Sequence, residues 1–524
     1  MGRFANSLKE RTEFSVTCEL IPGRGHAGKS VENIMRFVEG IKDFAPVHAL
    51  SITDNAGGNP ALSADVLGTE ILGMGMDVIV HFSCKDMNRN FFESRAFALQ
   101  RQRISNLLVM TGDYPTAGFL GLAKPVFDLD SVSALHYLSR MNEGLSVSTG
   151  RGPSQLDKTD FFLGAVVSPF KWTEGPCVMQ YTKLEKKIHA GARFLITQLG
   201  YDARKYIELL HYLRSILRSD IPVLGSVFVL SAGAAESMNR GEVPGCYVPD
   251  ELVEILRTES KGEDKGREAR LERAARQIAI LKGLGYSGAH IEGLTLKAED
   301  IRGIVSRARD LDANWHELLP EFHYAPKNPY YYFAGGEQLR APRPGESPQI
   351  RQTPKRNVVS PKFWTMRALH ALFFVPKTPG YRMMAAIARR VDKRKGMRSF
   401  LASFEHIVKQ TLFTCRYCDD CMAFETHYLC PVSGCPKEMR IGPCGGSRVD
   451  EKCEVFGDRN CVWTNIYWRA KNRGECAKLG YIIPPRNWSL YRTGSWGNYF
   501  LKRDHSGHPV TTERQETQRS TARS

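Results

Sequence analysis

The sequence lacks any unbroken apolar run near the roughly 20 residues that a membrane-spanning helix needs, and Met1 to Arg11 carries no apolar signal core. Those absences exclude a helical membrane protein and lead to the expectation of a cytoplasmic location. Internal repeats are missing apart from an alternation of β and α segments. Also missing is regular aromatic interleaving in the basic stretches Lys327 to Lys362 and Arg503 to Arg523, which argues against a platform for single-stranded nucleic acid despite a formal charge of +16. What is present suits a folded enzyme: 524 residues, 42% hydrophobic and 24% charged, enough for more than one domain.

From Ser15 to about Glu292, short β-branched runs alternate with stretches of helical period, the pattern of a parallel sheet with helices outside it. The predicted strands are Ser15 to Leu20, His48 to Thr53, Asp77 to Phe82, Asn106 to Thr111, Phe162 to Val167, Phe194 to Gln198, Val223 to Val229 and Ala289 to Glu292. Eight such units predict a closed (β/α)8 TIM barrel, an α/β fold, over residues 1–330. Amphipathic stripes predict helices over Val31 to Ile41, Tyr206 to Leu217 and Leu271 to Leu284.

Five prolines among Arg and Lys then mark a linker over residues 331–365, and a smaller cysteine-rich domain is expected over 366–500. That domain opens with basic helices near Tyr381 to Lys393 and Met397 to Leu412. Thr, Arg, Gln and Ser predict a disordered tail over 501–524.

In such a barrel the reacting groups project from the carboxyl ends of the strands. The polar residues there are Glu19, Thr53, Asp54, His81, Ser83, Cys84, Asp113 and Gln198. Singly, each carboxylate also fits a helix cap. A competing motif, Gly23 to Ser30, matches the phosphate-loop pattern G-x-x-x-x-G-K-[ST]; Lys29 would meet phosphates and Ser30 magnesium, with Asp54 the acidic partner. That reading makes a nucleotide hydrolase.

The strand ends, taken in order, resemble methylenetetrahydrofolate reductase, a flavin-dependent barrel family, over residues 14 to 300. The resemblance rests on Phe14 to Arg24 with its Glu-x-x-Pro-x-Arg core, Ser51-Ile-Thr-Asp-Asn-Ala, His81-Phe-Ser-Cys, Thr111-Gly-Asp-Tyr-Pro, Phe127-Asp-Leu-Asp-Ser, and Lys187 through Ala190-Gly-Ala-Arg-Phe-Leu-Ile-Thr-Gln198. It implies FAD as cofactor, NAD(P)H as donor, and methylenetetrahydrofolate as the small-molecule substrate; the net positive charge would suit a polyglutamylated form of it. It also implies that Glu19 is a general acid and that Asp113 and Gln198 hold the pterin, Asp113 adjusting the flavin as well. Thr53, His81, Ser83, Gly112 and Lys187 match flavin-contacting positions, and Phe228 matches an aromatic that stacks on nicotinamide or folate. Two positions depart from the family pattern: Thr111 stands where many relatives have Arg, and Gln180 where some have Asp.

Four of the thirteen cysteines are scattered through the barrel, and nine crowd between Cys415 and Cys476. Clustering of this kind predicts metal ligation by Cys415, Cys418, Cys421, Cys430, Cys435, Cys444, Cys453 and Cys461. The C-x-x-C-x-x-C start leans toward a [4Fe-4S] cluster, and tetrahedral zinc stays open. This region resembles the C-terminal domain fused to some bacterial reductases of the same family. A homo-oligomer and, with iron–sulfur, an electron-transfer partner are further expectations, and a zinc-dependent nucleic-acid-binding module is the alternative for this part.

Overall fold

The computed structural model describes residues 2–343, 345–356 and 360–508. It divides into two compact units, Met1–Gln352 with Cys444–Glu454, and Thr353–Pro443 with Val455–Ser524. Among the described residues no helix is long and apolar enough to cross a membrane.

In the first unit, eight parallel strands close into a barrel. They are β1 Ser15–Leu20, β2 Val47–Ile52, β3 Val78–Ser83, β4 Asn106–Met110, β5 Phe162–Val167, β6 Phe194–Thr197, β7 Val223–Phe228 and β8 Gly288–Glu292. Neighbours in sequence are neighbours in space, and closure comes from β8 on β1, with Ser15 opposite Gly288 and Cys18 opposite Ile291. This is the predicted TIM barrel, with strand limits shifted by a residue or so. A two-stranded hairpin, Ser146–Thr149 with Gly152–Gln155, interrupts the connection from β4 to β5.

Side chains two apart on a strand share a face, so each strand sends one alternate set into the barrel. Along that inner set the chemistry changes from one end to the other. Ala49 is followed by Ser51, Ile79 by His81, Leu224 by Ser226, and Gly288 by His290 and then Glu292. The amino half is a buried apolar cluster that includes Ala49, Ile79, Leu108, Phe162, Phe194 and Leu224. The short helix Arg3–Glu10 seals it from below with Phe4, Ala5 and Leu8, and the Phe4 ring meets Phe194 edge-on at 5.2 Å. Gly164 lets the Phe194 ring lie flat on β5, since a Cβ there would fall 2.2 Å from that ring. A core filled in this way leaves the carboxyl half as the room for reacting groups, while the amino end keeps small bonded polar pairs such as Ser7 with Ser15, at 2.7 Å.

The helix Ala203–His211 buries Tyr206, Leu209 and Leu210 on the barrel, as the stripe predicts, and continues into a wide turn, Tyr212–Ile216. It also carries a buried ion pair: Lys205 Nζ lies 2.9 Å from Glu208 Oε1, which accepts from Tyr181 at 2.8 Å. Lys205 also donates to the carbonyl of Tyr330, at 2.8 Å.

That last bond bears on the expected linker. Its first part is built into the barrel unit: Tyr331 and Phe333 are buried, His211 bonds the carbonyl of Arg340 at 2.8 Å, and Arg351 N donates to Tyr332 O at 2.9 Å. Its last part begins a helix, Pro361–Phe373, in the second unit. There Pro361 occupies the first turn, where its missing N–H costs nothing, and the Ser360 hydroxyl accepts from Phe363 N. One of the prolines read as linker punctuation, Pro361, is here a helix start.

The second unit continues with helices Pro379–Asp392 and Lys395–Phe413, then an irregular cysteine-rich stretch, then helix Val462–Arg473. Buried Asp420 organises the irregular part. It accepts from Arg440 at 3.2 Å, from Asn487 N at 3.2 Å and from the His505 ring at 2.6 Å. The expected tail is therefore packed through the turn His505–Gly507, and the rest of that expectation, residues 509–524, lies outside the described residues.

Candidate active site

Glu19, on the inner face of β1, and Glu292, at the end of β8, are both largely buried in the polar half of the barrel. Between them stands His290, whose Nε2 lies 3.9 Å from Glu19 Oε2 and 3.7 Å from Glu292 Oε1. Thr17 Oγ1 sits 2.8 Å from Nδ1 of the same ring and fixes its orientation. His81 on β3 joins them, its Nε2 2.8 Å from Ser51 Oγ. Donor atoms of Glu19, His81 and His290 all lie within 4.8 Å of one another.

Burial decides the charges here. It pushes the Glu19 carboxyl up to about 7. Glu292 is also raised to about 7, by burial first and then by the neighbouring Glu19 charge, although the Ser226 hydroxyl bonds it at 2.6 Å. Burial lowers the His81 ring to about 3, helped by His290, and lowers His290 itself against the pull of Glu292. Near neutral pH both imidazoles are therefore uncharged, and the transferable protons sit on carboxyls.

The remaining predicted residues lie at or just beyond the carboxyl ends of other strands, apart from Lys187, which is on a helix. Asp113 accepts from Gly57 N at 2.8 Å. The thiol of Cys246 is raised by burial first, then by Glu292, Asp113 and Glu19, which places all three carboxyls around it. Gly112 has φ +85°, and a Cβ there would meet the Lys85 side chain at 2.7 Å, so only glycine keeps this turn and this approach. Gln198, after β6, turns its Oε1 to Leu199 N at 2.9 Å. Phe228 ends β7 half-buried, its carbonyl accepting from Tyr201 at 3.2 Å. Ser83 donates to Asp54 at 2.8 Å. Lys187, from helix Glu174–His189, donates to Val166 O at 2.5 Å, and burial followed by nearby Lys183 lowers it to about 7.

Three buried polar atoms near these strand ends, Thr53 Oγ1, Ser168 Oγ and Gln180 Nε2, have no hydrogen-bond partner. Unpartnered donors beside a cationic helix face suit a polar, anionic cofactor. The phosphate-loop reading fares worse: Arg24 to Ser30 is exposed, and Asp54, its proposed magnesium partner, is held by Arg95 at 2.8 Å.

His290 and Glu292 were not among the predicted site residues. Their signal was in the sequence, two titratable residues spaced by two at the end of the eighth strand, where period two points both inward.

The eight predicted metal cysteines fall into separate places. Cys415, Cys418, Cys421 and Cys430 gather in the second unit: burial and then neighbouring thiolates raise Cys415 to about 11 and Cys418 to about 12, with buried Lys409 beside Cys415 and Cys421. Cys435 and Cys461 flank a contact between Gly434 and Val462 at helix ends. Cys444 and Cys453 belong to the segment Cys444–Glu454 of the barrel unit, where Cys444 Sγ accepts from Gly446 N at 3.4 Å.

Comparison with known proteins adds the family. Among curated proteins, methylenetetrahydrofolate reductase 1 of Schizosaccharomyces pombe is 21% identical over 312 residues, 58% of this chain and 47% of that protein, so the chain spans about half that relative's length. A solved structure of an uncharacterized protein from Clostridium thermocellum, which binds two copies of 5-methyl-5,6,7,8-tetrahydrofolic acid, matches at 14% identity and a TM-score of 0.41, over 59% of this chain and 99% of that one. Tryptophan synthase of M. tuberculosis matches at 12% identity and 0.32, over 62% and 100%. A family model described as methylene-tetrahydrofolate reductase C terminal matches residues 395–489. The methylenetetrahydrofolate reductase model matches residues 3–308, more than half of the sequence, and the chain belongs to that family.

Proposed function

We propose that the protein interconverts 5,10-methylenetetrahydrofolate and 5-methyltetrahydrofolate, with FAD and NAD(P)H as redox partners and the barrel mouth as the site. The observation that carries this reading is a carboxyl, Glu19, raised to about 7 by burial at the polar end of a barrel of this family. Such a group still holds a proton near neutrality and can give it up, which is what opening the methylene bridge at the folate N10 nitrogen requires. FAD, when bound, supplies the hydride carrier between nicotinamide and folate.

The chain's own residues do the rest. Glu19 protonates N10. Asp113 and Gln198 hold the pterin, and Phe228 offers a ring for nicotinamide or folate to stack on. Thr53, His81, Ser83 and Gly112 would hold the cofactor, and Lys187 would offer a cation to its pyrophosphate. Gln180, a donor where some relatives carry an acid, has an unpartnered Nε2 suited to an acceptor oxygen.

Within the same proposal, Cys415, Cys418, Cys421 and Cys430 bind an iron–sulfur cluster or zinc, Lys409 offsetting the negative thiolates. Iron–sulfur would give the protein an electron-transfer partner. The excess positive charge attracts polyglutamylated folate, and we place the enzyme in the cytoplasm as a homo-oligomer.

An anaerobic absorption spectrum of the purified protein, taken before and after reduced nicotinamide, tests the reading. A flavin band that bleaches and is restored by methylenetetrahydrofolate is the expected result. Protein that carries no flavin and cannot be reconstituted with FAD would refute it.

A further inference from the structure

Each passage toward 5-methyltetrahydrofolate leaves one proton on N10, so Glu19 ends as a carboxylate and must be reloaded. The structure sets a second carboxyl in reach. Glu292 lies on the far side of His290, and one nitrogen, Nε2, faces both carboxyl groups, at 3.9 and 3.7 Å. Thr17 holds the opposite nitrogen, and Ser226 holds Glu292; Ser226 is itself fixed by its bond to Thr197 O at 2.7 Å. We propose that Glu19 and Glu292 form one coupled acid, both carboxyls protonated before turnover, that once Glu19 has protonated N10 the pair retains its remaining proton, and that this proton passes from Glu292 to Glu19 through Nε2 of His290. The inference deepens the reductase reading and rests on it for the fate of the proton at N10.

The steps balance. Glu292 gives its proton to Nε2 of the neutral ring, while Nδ1–H donates to Thr17 Oγ1. The resulting imidazolium, flanked by two carboxylates, passes that proton to Glu19 Oε2. Glu292 is left ionised and regains a proton from solvent at the mouth. No bond other than O–H and N–H changes.

The surroundings favour sharing over two independent charges. Glu19 faces His290, His81 and Cys246. Glu292 faces His290, Cys246 and the phenols of Tyr201 and Tyr206, all of them neutral near pH 7. Asp113, also near Cys246, adds negative charge, and Lys171 there is the opposing cation. Two carboxylates in such a setting repel, so ionisation of one holds the proton on the other, and the effect is reciprocal.

Infrared titration of the carboxyl band in the cofactor-free protein tests this without any substrate. In the native protein the last buried carboxyl proton should leave in a second, late step. In Glu292→Gln, nearly the same size, a single step assigned to Glu19 by its loss in a Glu19→Gln double variant should come about one pH unit earlier. Glu292→Asp, which keeps the charge, should restore the late step. The basic limb of the folate half-reaction should move with it, and His290→Asn should leave a first single turnover but slow the following ones about tenfold. A Glu19 titration unchanged in Glu292→Gln overturns the pair, whatever the protein's substrate. A shifted titration in a protein without folate activity would keep the pair and sink the reductase reading instead.

Discussion

Arg95 clamps Asp54: Nη1 lies 2.8 Å from Oδ2, and the rest of the guanidinium grips Asp65, with Nε at 2.9 Å. Burial alone would raise Asp54, but Arg95 and then Ser83 hold it below the ordinary carboxylate range. Arg95→Met would leave two carboxylates without their cation and should destabilise the barrel by about 3–5 kcal/mol, read by urea unfolding. Because the Asp54 pKa is depressed in the fold, its contribution is present above the unfolded value near 4 and is lost as pH falls through the folded value. The gap between native protein and variant should therefore narrow in acid.

Glu19→Gln separates chemistry from stability. Folate turnover should be lost while nicotinamide still bleaches the flavin, measured as two half-reactions by stopped flow. In the native enzyme the folate step should weaken as pH rises through about 7, where Glu19 loses its proton. The fold responds with the same sign. A carboxyl raised in the folded state favours folding most below its unfolded pKa of about 4.5, and that preference is lost as pH rises through about 7. The variant should thus melt higher than the native protein at pH 8, by an amount on the order of 3 kcal/mol, and no higher near pH 4.

Lys187→Met should weaken FAD binding about 10- to 100-fold, measured by flavin fluorescence during reconstitution. The native lysine, lowered to about 7, is charged below that pH and neutral above it in the cofactor-free protein. Binding of an anionic pyrophosphate should then draw in a proton, and affinity should fall as pH rises past 7. An affinity indifferent both to the substitution and to pH would count against Lys187 as a cofactor contact.

Cys421→Ser should remove the metal held by the Cys415, Cys418, Cys421 and Cys430 group. Iron, zinc and sulfide assays on native and variant protein check it, with flavin content of the barrel as the internal reference. Metal content unchanged in the variant would exclude Cys421 as a ligand.

The barrel was legible because eight β-branched runs bounded by turn residues already state its repeat; only the exact ends moved, as at Val47 and Gly288, where ladder pairing extends a strand beyond its apolar run. Glu19 was legible from its place at a strand end. The partner of Asp54 was not, because Arg95 lies 41 residues away on a helix and nothing local in the sequence joins them. The first part of the linker misled for a related reason. Tyr331 and Phe333 find their burial against Lys205, His211 and the barrel helices, contacts across more than a hundred residues. His290 and Glu292 carry a fainter signal, since two polar residues spaced by two at a short strand's end also fit ordinary polar termination.

The helix Arg3–Glu10 makes the barrel a vessel with one opening. With Phe4 and Leu8 stoppering the amino end, nothing the size of a pterin or a nicotinamide can pass straight through. Whatever reaches Glu19 must enter and leave by the same mouth, so in the proposed reaction nicotinamide and folate would take turns there.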